Sequence, residues 1–103
     1  MDKGYVVECV RRFAEKARER MDVRQVVLFG SYAKGRPTDD SDIDVAVIAD
    51  TAPPDWLEAS AMLFRLRRDI DLAIEPVLLI PSEDRSGFAA EVVRTGEVIY
   101  SRE

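Results

Sequence analysis

Residues 42–49, DIDVAVIA, constrain the fold of this chain more than any other segment. After its first three residues the run is apolar at both alternating positions. That pattern suits a central strand whose two faces are both covered, so the chain needs layers on either side of a sheet. The rest of the sequence supplies them. Residues 5–21 carry Val6, Val10, Phe13, Ala14, Ala17 and Met21 at helical spacing, with Arg11, Arg12, Lys16, Arg18 and Arg20 on the other face. Residues 25–29, QVVLF, form a short β-branched run stopped by Gly30, which predicts a strand entering a tight turn. Gly35, Pro37 and the polar TDDS stretch predict a loop.

Pro53 and Pro54 break the chain after the central strand. Asp55 then caps a second helix, with Glu58 three residues on as in a capping box. Its apolar stripe is Ala59, Met62, Leu63, Leu66 and Ile70, and Arg65, Arg67 and Arg68 read as its solvated C-terminal end. Residues 72–80 predict a third strand, in which Pro76 calls for a bulge or an exposed edge. Ser82 or Ser86 starts a last helix that includes Phe88, Ala89, Val92 and Val93. Gly96 sits at its C-terminal cap, and residues 97–100 form a small final strand. Helices alternating with strands imply an α/β or α+β sandwich with a mixed sheet.

At 103 residues the chain is one domain, 1–103. Folding at that size buries roughly two-thirds of the surface, enough for one core but not for a second domain to grip a substrate. Apolar residues at 47% and charged residues at 34% indicate a soluble globular protein. No apolar run approaches the ~20 residues of a membrane span. The N-terminus, MDKGYVVECVRRF, meets charge before the apolar region of a signal peptide could form, which points to a cytoplasmic protein.

Composition also prunes the chemistry. A single cysteine, Cys9, rules out an internal disulfide and a cysteine-cluster metal site; it reads as a small buried hydrophobe. The absence of histidine removes Ser-His-Asp and Cys-His nucleophile systems, imidazole zinc sites and histidine bases. Carboxylates remain, and they favour hard cations such as Mg²⁺. The net charge of −5 is uneven: +4 over residues 1–36 and −9 over the remainder. Stable DNA binding is not expected of so acidic a chain, although its basic first third suits an acidic partner or a polyphosphate.

Three features carry chemistry. Gly30 and Ser31 follow directly on a strand. If Ser31 opens a helical turn, its N–H groups and hydroxyl face an anion such as phosphate. Asp42 and Asp44 share one face of the next strand, ~7 Å apart along the backbone, while Ile43 faces the opposite way. Two such carboxylates repel each other unless a cation neutralises them. Glu75 interrupts the apolar run AIEPVLLI, where a carboxylate needs a partner or a metal. Beside the central strand it completes a three-carboxylate cluster. Asp71 competes for that role from the helix-to-strand junction, where a turn role suits it better.

Ten residues separate Ser31 from Asp42, giving G-S-x₁₀-D-x-D. The stretch LFGSYAKGRPTDDSDIDVAVIA resembles the minimal nucleotidyltransferases of the DNA polymerase β superfamily, the small MNT domains. These are often the antitoxin half of a pair whose toxin is a HEPN-type ribonuclease. The resemblance implies a nucleotidyltransferase fold, with a small mixed β-sheet packed against helices. It implies that Gly30 and Ser31 hold the triphosphate of ATP, with Lys34 and Arg36 either assisting or standing as exposed loop cations. Asp42 and Asp44 would bind Mg²⁺, in a two-metal site, with Glu75 standing where the family's third carboxylate, usually aspartate, lies. An acceptor hydroxyl would attack the α-phosphorus and expel pyrophosphate; the toxin's own tyrosine is the implied acceptor of AMP.

Two departures keep another reading in play. Glutamate at 75 is one methylene longer than aspartate, and no acceptor-holding domain is present. The acceptor site must therefore be shared with another protein or a second copy, in a hetero- or homo-oligomer. The alternative is a catalytically weak or inactive antitoxin that neutralises its partner by contact. Among the remaining residues, Trp56 reads as a core or interface anchor. Tyr32 reads as a nucleotide contact or as packing over the turn, and Asp39 and Asp40 as loop solvation.

Overall fold

A computed structural model describes residues 1–35 and 41–102. Helix α1 (Lys3–Arg20) starts where the Asp2 carboxylate accepts the Tyr5 N–H at 2.9 Å, and it buries Val6, Cys9, Val10, Phe13, Ala14 and Ala17. Strand β1 (Gln25–Phe29) leads into the Gly30 turn, and β2 (Ile43–Ile48) is the apolar run. Helix α2 (Trp56–Leu66) is capped by Asp55, which accepts the Glu58 N–H at 3.0 Å. A 3₁₀ turn (Arg67–Asp69) links it to β3 (Ile74–Leu79). Helix α3 (Phe88–Thr95) and β4 (Glu97–Ser101) complete the element order.

The sheet order is β3-β2-β1-β4. β1 pairs antiparallel with both β2 and β4, whereas β2 and β3 run parallel, so the sheet is mixed. On one face Val26, Leu28, Ile43, Val45, Val47, Ile74 and Leu78 join the α1 residues and Leu63 of α2 in the main core. On the other face Val27, Ala46 and Ile48 pack under Val92 of α3. In β2 Asp44 alone escapes full burial, as a strand covered on both faces requires. Filling these layers with fully buried side chains such as Phe13, Leu28 and Ile43 contributes about 1.5–3 kcal/mol each.

Several details depart from the expectations. The last helix begins at Phe88, not at Ser82 or Ser86. Asp84 takes the N–H groups of Ser86 and Ala89, and Gly87 at φ +82° turns the chain into the helix. Gly96 ends α3 in an extended conformation. Its role is clearance: a Cβ there would sit 2.6 Å from the Val92 carbonyl oxygen and 2.8 Å from that of Leu28. Pro76 needs no bulge, because β3 is an edge strand, although its side chain is buried. The capping box is half formed, since Glu58 turns to pair with Arg65 at 2.8 Å. Trp56 is 42% exposed and so is no core anchor. Among the described residues no helix is long and apolar enough to cross a membrane.

Candidate functional site

Strand register assembles the site. Phe29 of β1 lies opposite Asp44 of β2, and Asp44 lies beside Glu75 of β3. One row across three strands therefore reads Phe29–Asp44–Glu75, on the face that α3 covers farther along at Val27 and Ala46. Cross-strand neighbours share a face, so the two carboxylates point the same way. Asp42 enters β2 two residues before Asp44, on that same alternation.

The turn after β1 closes on this row. Gly30 has φ +75°, a region glycine enters freely. A Cβ added to it would fall on the Asp44 carboxylate, 3.1 Å from Cγ. The turn thus needs glycine twice, for its backbone and for the approach of Asp44. From Gly30 the chain makes one helical turn, with the Lys34 N–H donating to the Gly30 carbonyl at 3.1 Å. Among the described residues no acceptor takes the backbone N–H groups of Ser31, Tyr32 or Ala33. Ser31 is half-buried and Lys34 exposed. Tyr32 is packed into the main core, its hydroxyl without a hydrogen-bond partner among the described residues, so it acts as packing over the turn. Arg36, Pro37, Asp39 and Asp40 lie outside the described residues.

Electrostatics mark the same place. Partial burial pushes the Asp44 carboxyl above the ordinary aspartate range, and the charges of Asp42 and Glu75 push it further. Asp44 and Glu75 lie side by side in the parallel pair, and carboxylate oxygens of this kind are donors for a hard cation. Among the described residues no group of three or more His, Cys, Asp or Glu side chains forms a ready metal cage. The three-carboxylate metal site expected at Asp42, Asp44 and Glu75 is therefore not preformed; Mg²⁺ is usually held by one or two carboxylates with substrate phosphates completing its shell. Asp42 and Asp44 are the pair that could hold it.

Glu75 has a second neighbour that spacing alone does not reveal. The Arg67 guanidinium lies 3.5 Å from its carboxylate and donates to the carbonyls of Leu72 and Ile74 at 3.1 and 2.9 Å. Arg67 also lies over the Phe64 ring at 5.0 Å. It is not the solvated helix end expected, but a clamp between α2 and the start of β3. Asp71 takes the turn role: it accepts the Tyr5 hydroxyl at 2.6 Å and the Ala73 N–H at 2.8 Å, which holds its carboxyl below the usual range. A cavity of about 540 Å³ lies at the other end of the strands. Arg24, Ile48, Asp50, Ala89 and Val93 are among its lining residues, and none of the acidic row is.

Comparison with known proteins identifies the family and the fold. Residues 12–103 match the family described as Polymerase beta, Nucleotidyltransferase. The Protein adenylyltransferase MntA of Thermococcus cleftensis is 34% identical over 88 residues, covering 84% of this chain and 82% of that protein. A crystal structure from Sulfolobus solfataricus, proposed to be a nucleotidyltransferase, superimposes with TM-score 0.71 at 18% identity, covering 97% of this chain and 84% of its own. A complex of tri-AMPylated Shewanella oneidensis HEPN toxin with MNT antitoxin gives TM-score 0.63 at 22% identity, covering 93% and 73%. These two solved structures share the fold.

Proposed function

Because the chain belongs to the polymerase β nucleotidyltransferase family, we propose that it is a single-domain, Mg²⁺-dependent protein adenylyltransferase. It moves AMP from ATP to a hydroxyl of a HEPN-type toxin and serves as that toxin's antitoxin in the cytoplasm. The relative named as an adenylyltransferase supports the reaction. The complex with an AMPylated HEPN toxin supports the partner. The observation that carries the reading for this chain is the meeting of Gly30 with the Asp44 carboxylate, in a row completed by Glu75. A phosphate-facing turn and a cation-binding edge occupy one place.

In this reading the N–H groups of Ser31, Tyr32 and Ala33, with the Ser31 hydroxyl and Lys34, hold the triphosphate. Asp42 and Asp44 hold Mg²⁺, which when bound neutralises phosphate charge and acts as a Lewis acid. The acceptor oxygen bonds to the α-phosphorus as the bond to the bridging oxygen breaks. Pyrophosphate leaves, and the acceptor's proton passes to solvent. Glu75, fixed by Arg67, holds negative charge beside the acceptor hydroxyl. Positioning and electrostatics supply most of the rate.

The test is transfer of label from α-labelled ATP and Mg²⁺ to a HEPN-type partner. The double variant Asp42→Asn/Asp44→Asn should lose transfer while remaining folded; transfer at the wild-type rate overturns the assignment. The engagement of Glu75 by Arg67 favours one second reading, neutralisation by contact with a weak site. Equal neutralisation of the toxin by wild type and double variant would select it.

A further inference from the structure

We propose that Phe88 forms the floor of a nucleobase subsite, on which the base of the bound nucleotide stacks. The inference rests on the nucleotide-transfer reading above and adds to it the group that grips the base.

Phe88 opens α3, yet Ala89 and Val92 do the packing for that helix. Its ring is 44% exposed, so an aromatic surface is open to a ligand. It meets the Phe29 ring edge-on, with centroids 5.9 Å apart and planes at 80°. Phe29 is the residue opposite Asp44 and the last before the Gly30 turn. Phe88 therefore stands one aromatic contact from the acidic row and from the turn that faces phosphate.

The backbone holds it there. The Asp84 carboxylate accepts from the Ser86 N–H at 2.9 Å, the Ser86 hydroxyl at 2.6 Å and the Ala89 N–H at 2.5 Å. The Ser86 hydroxyl oxygen accepts the Phe88 N–H at 3.1 Å. Four hydrogen bonds around a left-handed glycine fix a ring that is left partly uncovered.

The other exposed aromatics are engaged or elsewhere. Tyr5 is bound to Asp71, and Phe64 lies under Arg67. Trp56 lines a cavity of about 330 Å³ with Leu78, Leu79 and Ile80, past the opposite end of β3 from Glu75. A base stacks on any aromatic face.

The experiment titrates the full-length chain, with Mg²⁺ present, by calorimetry against ATP and against inorganic tripolyphosphate, which has no base. Wild type, Phe88→Ala, Phe88→Leu and Phe88→Trp are compared, with thermal unfolding to show that each is folded. Leucine keeps apolar contact with Phe29 but offers no ring. We expect alanine and leucine to weaken ATP about tenfold and leave tripolyphosphate unchanged, with tryptophan restoring ATP affinity. Equal loss for both ligands overturns the proposal by making Phe88 a prop for the turn. Unchanged ATP affinity overturns it too, even if the KM of the protein acceptor rises, because the ring then faces the acceptor. Wild type that binds neither ligand removes the nucleotide reading itself, along with the subsite.

Discussion

The two ends of β2 carry aspartates in opposite circumstances. Asp44, at the start, is half-buried and faces Asp42 and Glu75, so its carboxyl is pushed up. Asp50, two residues past the end, accepts from Arg24 at 2.8 Å and Arg102 at 2.7 Å, and its carboxyl is pulled down, chiefly by Arg24. Arg102 also pairs with Asp22. Backbone bonds lock the same corner, from the Arg24 N–H to Ile48 and from the Arg102 N–H to Arg24. One end is arranged as folding would arrange it, with each charge answered. At the other, Asp44 faces the like charges of Asp42 and Glu75 against a turn that admits only glycine, with Arg67 beside Glu75, the arrangement on which the proposed cation site rests.

The sharpest way to break this contrast is to neutralise each end in turn. Asp44→Asn should cut label transfer by about 10³-fold, and Asp50→Asn should leave it unchanged. Similar losses from both would mean that the two ends do not differ in kind. Next in size is Gly30→Ala, which puts a methyl group onto the Asp44 carboxylate at a positive φ. A displacement of that kind should slow transfer by about 10²-fold while the fold survives. Smaller again is Arg67→Met, which leaves the Leu72 and Ile74 carbonyls without their donor. Urea unfolding should register a loss of about 1–2 kcal/mol.

The smallest effect separates the two aspartates by sign. Asp44 has its carboxyl raised by folding, so the stability tied to it is present below the ordinary aspartate range and lost as pH rises. Asp44→Asn should therefore raise the melting temperature of the free protein at pH 7, with the gain vanishing in acid. Asp50 has its carboxyl lowered, so its contribution is present above that range and lost as pH falls. Asp50→Asn should lower the melting temperature at pH 7, and by less in acid. Scans of both variants at pH 7 and pH 3 check the pair, and equal signs at pH 7 would refute the contrast.

Much of this was legible because it is local. Strand Gln25–Phe29 ends where Gly30 says it should, and two-residue alternation puts Asp42 and Asp44 on one face. Covered faces on the central strand follow from its apolar pattern. Asp55 caps its helix for reasons its neighbours display. Arg67 and Phe88 were not legible in this way. An arginine at a helix end and a phenylalanine at a helix start look ordinary until β3 and β1 are laid beside them. Of the two readings of Trp56, the core anchor fails for the same reason, since size alone does not say which face of α2 meets the core.

The amino-acid sequence by itself determined the element order, the two covered faces of β2 and the chemical character of the site. With no histidine and one cysteine, carboxylates and backbone N–H groups were what remained. Only the tertiary structure decided which carboxylate joins Asp44, because Glu75 and Asp71 differ in strand register and not in type. It also decided that Gly30 must yield its space to Asp44 and that Arg67 clamps β3. Periodicity is written residue by residue, whereas a neighbour across the sheet is set by packing the whole chain at once.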